Sequence, residues 1–282
     1  ILICPACLPD EIPLELFIDE LEDDDIIFGI LSCKKCGTRY KIEEGIAVLV
    51  PTSQLKPDIN NKYENPKVVS SYLWSHYGDF LNDKEWLPAY LEWSNIMKSS
   101  KGISLDIGCA VGRFTFEMIE KSDLSIGIDL SFAFIKTARE LMKKREINFE
   151  LTEEGNLSKS VSIKLSNRFD TNKVEFLIAD ALYLPFPKNT FTKISSLNVI
   201  DKVPHPMNHL QEMNRVSTHL GSQILISDPY SWSEEVAKIE HWLGGKAEGQ
   251  FSGYGQDNLI KLLEGHGNFI DPSWKVIDKG TI

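Results

Sequence analysis

Residues 105–112 read Leu105-Asp106-Ile107-Gly108-Cys109-Ala110-Val111-Gly112, and a second acidic end, Gly127-Ile128-Asp129, follows. An apolar strand over 103–107 runs into a glycine turn, a helix opens at Gly112, and the next strand finishes in a carboxylate. Glycine at 108 and 112 lets backbone approach a ligand where a Cβ would collide. Asp129, about 17 residues past Gly112, is placed to take both hydroxyls of a ribose, as in dinucleotide folds. The acid ahead of the first glycine changes the ligand. A pyrophosphate needs bare backbone N–H groups at a helix N-terminus, and Asp106 would repel it. A cation with an amino-acid tail suits that carboxylate, which points to S-adenosylmethionine with its ammonium and sulfonium.

Working outward, apolar runs alternate in strand and helix periods. The pattern predicts strands over 103–107, 125–129, 174–178, 192–198 and 222–227, with helices over 112–121, 132–146 and 206–219. A polar insertion containing Glu153-Glu154-Gly155 fills 147–173. The last fifty residues hold a helix near 257–264 and one weak strand, Trp274 to Ile277. Such alternation predicts an α/β fold, doubly wound and Rossmann-like around a mostly parallel seven-stranded sheet. Ligands then bind beyond the C-terminal strand ends.

The turn Asp106-x-Gly108-x-x-x-Gly112, the strand end at Asp129 and Ile178-Ala179-Asp180-Ala181 together resemble the class I S-adenosylmethionine-dependent methyltransferases, over about residues 100–230. The resemblance implies that Asp106, Gly108, Cys109 and Gly112 surround the methionine part of the cofactor. It places Asp129 on the ribose, Phe132 on the adenine face, Asp180 and Ala181 at the adenine amino group, and Asn198 beneath the reactive methyl. Asp180 has a second reading as a helix N-cap.

Four of the five cysteines stand as Cys4-Pro-Ala-Cys7 and Cys33-Lys-Lys-Cys36. Two such knuckles offer four thiolates to one centre, the closed set a structural Zn²⁺ prefers. Disulfides are the other reading, and a cytosolic chain keeps its thiols reduced. With Gly45-Ile-Ala-Val-Leu-Val-Pro51 as a buried strand, residues 1–51 read as a zinc-ribbon domain. It resembles the zinc-ribbon activator subunits of tRNA and protein methyltransferases, which makes a protein partner through the ribbon an expectation. Residues 52–101 read as a linker and an aromatic-rich helical lid, and 102–282 as the cofactor-binding domain. Of the lid aromatics Tyr72, Trp74, Tyr77, Phe80, Trp86, Tyr90 and Trp93, the stronger pocket candidates are Tyr72 and Tyr77; the rest read as core.

Charge narrows the partners. Net charge is −11, and residues 1–51 carry eleven acids against four bases, a net of −7. Such a segment repels a phosphate backbone, which argues against nucleic acid. The run Asp19 to Asp25 reads as a solvated loop or helix face. No apolar run reaches the length of a membrane span and no secretion signal opens the chain, so cytoplasm is the expected location.

Methyl transfer is an in-line displacement, so the protein must align, exclude water and, where needed, remove a proton. Asn198-Val-Ile-Asp201 and Asp228-Pro-Tyr-Ser-Trp232 follow consecutive strands and should flank the methyl group. That makes Asn198, Asp201, His205 and Tyr230 the candidates for catalysis, with His205 as a base or as a structural histidine. Leu105 to Arg113, Glu153-Glu-Gly155, Asn198 to Asp201, Asp228 to Trp232 and Glu240-His-Trp-Leu-Gly-Gly245 together look like the methyltransferase module of ovothiol biosynthesis. That family methylates a ring nitrogen of 4-mercaptohistidine and lacks a zinc ribbon. It implies a small-molecule acceptor bearing an imidazole or thiol. The alternatives are an rRNA or tRNA base methyltransferase and a non-catalytic binding module.

Overall fold

The computed structural model describes residues 1–51, 61–81, 89–218 and 220–282. Four strands come first: β1 (Leu14–Glu22), β2 (Asp25–Cys33), β3 (Arg39–Glu43) and β4 (Ile46–Leu49). Two helices follow, α1 (Pro66–Tyr77) and α2 (Ala89–Ile96). Then come β5 (Ile103–Ile107), α3 (Arg113–Met118), β6 (Leu124–Asp129) and α4 (Phe132–Lys144). A hairpin, β7 (Glu146–Glu154) and β8 (Leu157–Lys164), precedes β9 (Val174–Ala179), β10 (Phe191–Leu197), α5 (Pro206–Val216), β11 (Gln223–Ser227) and α6 (Gly255–Leu263). Trp86 of the aromatic stretch, most of the expected linker and the end of the expected helix 206–219 lie outside the described residues.

Among the described residues, one sheet holds nine strands in the order β1-β2-β3-β4-β9-β6-β5-β10-β11. From β4 to β11 every pairing is parallel; from β1 to β4 every pairing is antiparallel. The expectation of seven strands is therefore corrected to nine. The apolar run Ile46-Ala-Val-Leu49 finds the free edge of β9, pairing Val48 with Ile178 and Leu49 with Ala179. The cysteine ribbon thereby becomes the outer part of the main sheet. Trp274 to Ile277 forms no strand. The Trp274 indole donates to Asn214 Oδ1 at 2.7 Å and its backbone N–H donates to Leu263 O at 2.6 Å.

Both faces of the parallel strands are covered, as near-continuous apolar strands require. Along β9, Phe176 and Ile178 join one core with α1 and α4, and Leu177 and Ala179 join the other with α5 and α6. The polar insertion is a separate two-stranded hairpin turning at Gly155, anchored by buried Ile147 and Ile163.

The acidic run is only partly solvated. Asp25 meets Arg139 at 2.8 Å and also pairs with Lys143, and Arg139 pairs in turn with Glu175. Burial opposes ionisation of Asp25, yet Lys143 and Arg139 hold its carboxyl below the usual range. These pairs tie the N-terminal strands to α4 and β9.

Gly112 shows why the turn has its spacing. It caps α3 at φ 82°, and an added Cβ would stand 2.6 Å from Phe176 Cζ and 3.0 Å from Ala138 Cβ. Its place is against the core, and the close approach is to protein. Gly112→Ala is expected to cost about 1–3 kcal/mol through overpacking and left-handed strain. An unchanged urea midpoint would refute this.

Candidate functional site

A cavity of about 800 Å³ opens beyond the C-terminal ends of β5, β6, β9 and β10. Its wall includes Asp106, Gly108, Cys109, Asp129, Asp180, Ala181, Asn198 and His205, all expected from the sequence. Gly112, Phe132, Asp201 and Tyr230 are not in that wall. Phe132 begins α4, where its N–H donates to Glu64 Oε1 at 3.0 Å. Tyr230 packs over Gly255, and Asp201 is buried behind the turn after β10.

Three carboxylates terminate three adjacent strands. Asp106 is 2% exposed, and accepts from Thr115 Oγ1 and Ser195 Oγ, both at 2.8 Å. Burial pushes its carboxyl up to about 7, with the two hydroxyls opposing. Asp129 Oδ2 accepts the Ala110 N–H at 3.0 Å and Oδ1 the Ser131 N–H at 2.9 Å. Burial raises it too, against those backbone donors. Asp180 Oδ1 accepts the Leu182 N–H at 2.8 Å, so it caps a turn while lining the cavity, and the helix expected in its N-cap reading does not follow. Burial raises its carboxyl as well. Ionised carboxylates retain lone pairs beyond those bonds. A cavity with two buried acids and a third half-buried stabilises a cation, since burial without a countercharge is what strains them.

The turn itself is shaped by close packing. Gly108 (φ 71°) could carry no Cβ, which would stand 2.5 Å from Val199 Cγ2. Burial drives the Cys109 thiol far above its usual range, so it stays neutral. Asn198 also sits in the left-handed region (φ 60°), its N–H donating to Ser227 O at 2.6 Å. That conformation suits asparagine among non-glycine residues.

Aromatic side chains from the stretch expected to form a lid make up another part of the wall. Tyr63, Tyr72, His76 and Tyr90 line the cavity, with Tyr72 4.6 Å from the Phe134 ring centroid. Tyr77 lies behind it, fully buried, its hydroxyl donating to Val111 O at 2.9 Å. Burial lowers His76 to about 3, so it is neutral. Glu64 accepts the N–H groups of Phe132 and Ala133, both at 3.0 Å, which docks the start of the lid onto α4.

Sequence reasoning missed several supports. Thr115 and Ser195 orient Asp106 from other elements. His209 is buried, with Ser196 Oγ 2.8 Å from Nε2 and Ala181 O 3.3 Å from Nδ1, and burial lowers it to about 4. It fixes the Asp180–Ala181 turn from behind. No local motif marks such residues, because each acts across the fold.

The four cysteines of the knuckles form a second cluster. Their sulfurs all lie within 4.8 Å of one another, with Cys4 to Cys36 at 3.6 Å and Cys7 to Cys33 at 3.7 Å. A disulfide would need about 2.05 Å. A tetrahedron with metal–sulfur bonds of about 2.3 Å has an edge near 3.8 Å, so the set fits a four-coordinate thiophilic cation.

Residues 105–225 match the model of a family described as a methyltransferase domain. No curated protein matches the chain. Among solved structures, the chain is similar to YcgJ of Bacillus subtilis, at 17% identity over 49% of this chain and 48% of that one, TM-score 0.38. It is similar to phosphoethanolamine N-methyltransferase 2 of Haemonchus contortus, solved with S-adenosyl-L-methionine, at 16% identity over 60% and 34%, TM-score 0.43. A third is a complex of the Trm112 methyltransferase activator of Haloferax volcanii with a methyltransferase, at 18% identity over 53% and 55%, TM-score 0.35. The match spans about half the length of YcgJ. Residues 105–225 thus resemble a methyltransferase domain, in a match over less than half of the chain.

Proposed function

We propose that this chain transfers a methyl group from S-adenosylmethionine to a small-molecule acceptor, an imidazole- or thiol-bearing amino-acid derivative. The observation that carries the reading is the row of carboxylates facing one cavity, Asp106 and Asp180 buried and Asp129 half-buried. The cofactor, when bound, supplies an activated methyl on a sulfonium. Asp106 holds its ammonium, Asp129 its ribose hydroxyls, and Asp180 with Ala181 its adenine edge. The aromatic lid excludes water, which strengthens those contacts. Asn198 lies at the floor beside the acceptor. His205, at the cavity wall, takes the proton that an imidazole or thiol releases on methylation.

The four cysteines are proposed to hold structural zinc. With four protein ligands it has no open position, so its role is folding. The acidic N-terminal strands, and a cavity wall with a single lysine among its described residues, disfavour a nucleic-acid acceptor. Intact carboxylates at all three strand ends speak against a non-catalytic module. Labelled S-adenosylmethionine with a panel of imidazole and thiol metabolites, read by mass spectrometry, tests the assignment. Failure to bind the cofactor at millimolar concentration would remove it.

Asp106 adds a pH dependence. Its carboxyl titrates near 7 in the cofactor-free protein, and an ammonium is attracted to the ionised form. Affinity for S-adenosylmethionine is therefore expected to rise between about pH 6 and pH 8, with proton release on binding at the acid end. Calorimetry in buffers of different ionisation enthalpy measures that release. A flat profile would take Asp106 out of the ammonium site.

A further inference from the structure

Methyl transfer alone does not explain the charge at the acceptor end of the cavity. Past Asn198 the wall continues through Val199, Lys202 and Val203 to Pro204 and His205. Among the described residues of the wall, Lys202 is the one lysine or arginine, in a wall that also carries Asp106, Asp129 and Asp180. Its ammonium is fixed from behind, 2.9 Å from Asp201 Oδ2. Asp201 has a fully buried side chain, accepts the Ser231 N–H at 2.6 Å, and has no hydrogen-bond partner at Oδ1 among the described residues. Asp228 sits beside it, accepting the Asp201 N–H at 3.2 Å. A buried carboxylate left short of donors holds its lysine firmly, because losing the countercharge would strand it. The lysine side chain is still 42% exposed, and an ammonium has three donors. Donors remain for a second anion.

We propose that Lys202 is the anion-recognition residue of the acceptor site, so that the methyl acceptor is a small molecule bearing a carboxylate or a phosphate. This rests on the methyl-transfer reading above. Asp201 and Asp228 are positioning residues, aiming the ammonium without touching the acceptor. A carboxylate and a phosphate offer the same chemistry to one ammonium, so the two sources must be separated by experiment.

The experiment uses the full chain, loaded with S-adenosylhomocysteine, and matched probes that differ in one anionic group. L-histidine against histamine and L-cysteine against cysteamine form the carboxylate arm. Phosphoethanolamine against ethanolamine forms the phosphate arm. Calorimetry is expected to show the anionic member of one arm binding at least about tenfold tighter. Lys202→Met should erase that preference and Lys202→Arg should retain part of it, with the affinity for S-adenosylmethionine within about twofold of wild type. A purely structural lysine would lower the melting temperature and leave the pairwise preference intact. Equal or absent binding of both members in every pair overturns the proposal, as does a preference that survives Lys202→Met. Weakened cofactor binding in that variant also overturns it, by assigning the lysine to the donor. A wild-type protein that binds no S-adenosylmethionine fails before any probe is added, which marks failure of the underlying reading.

Discussion

Cys33→Ser is expected to release metal and to lower the melting temperature of the whole molecule, not of the N-terminal strands alone. Cys33 ends β2 at 1% exposure, with its sulfur 3.7 Å from that of Cys7. Where a structural zinc holds such a cluster, binding free energy is folding free energy. Here the loss propagates, because β4 is hydrogen-bonded to β9 and Asp25 is paired with Arg139 on α4. A cost on the order of 4 kcal/mol is expected, in the range that marks loss of a metal site. Elemental analysis and circular dichroism melting are the measurements. Full metal content with an unchanged single transition would defeat the zinc assignment. Metal loss with an early, separate transition for the N-terminal strands would defeat their coupling to the sheet.

Asp129→Ala is expected to weaken S-adenosylmethionine binding by about 1–3 kcal/mol, roughly five- to 150-fold, the cost of leaving ribose hydroxyls unpaired. The carboxylate also receives the Ala110 and Ser131 N–H groups, so the alanine variant loosens the glycine turn as well. Asp129→Asn separates the two effects. It keeps an acceptor oxygen for the turn but loses the second one, and should lie between wild type and alanine. An unchanged dissociation constant in the alanine variant would remove Asp129 from the ribose site.

Much of this site is legible in the chain's local spacing. Acid, glycine and strand end lie within one βαβ unit, where chain geometry forces neighbours in sequence to be neighbours in space. Asp106, Asp129 and Asp180 accordingly meet at one cavity. The catalytic candidates divide. Asn198 and His205 line the wall, whereas Asp201 turns inward beneath Lys202 and Tyr230 packs against Gly255. A strand's end predicts where a residue stands, but the rotamer and the neighbouring loop decide which way it faces. Lys202, one residue beyond a motif, carries no signal of its own; only the acidic wall around it makes its charge stand out.

The hairpin of β7 and β8 is hidden for a different reason. Most of its side chains face solvent. Ile147, Phe149 and Leu151 and then Val161 and Ile163 do alternate with polar residues, but each apolar run is short and set among Glu, Ser and Lys, so the stretch reads as a polar insertion. The weak strand expected near Trp274 shows the opposite error. Trp274 seats its indole on Asn214 while Ile277 is left exposed, and among the described residues no strand pairs with the segment.

By itself the sequence determined the α/β alternation, the glycine turn with its carboxylates and the pairing of two cysteine knuckles, because each is written in short-range spacing and local backbone freedom. The tertiary structure decided that β4 joins β9, that the N-terminal strands share one sheet with the strands opening onto the cavity, and that Thr115, Ser195 and His209 support the site. Those outcomes depend on edges and surfaces brought together from distant parts of the chain, and pairing free energy of that kind leaves no mark in local sequence.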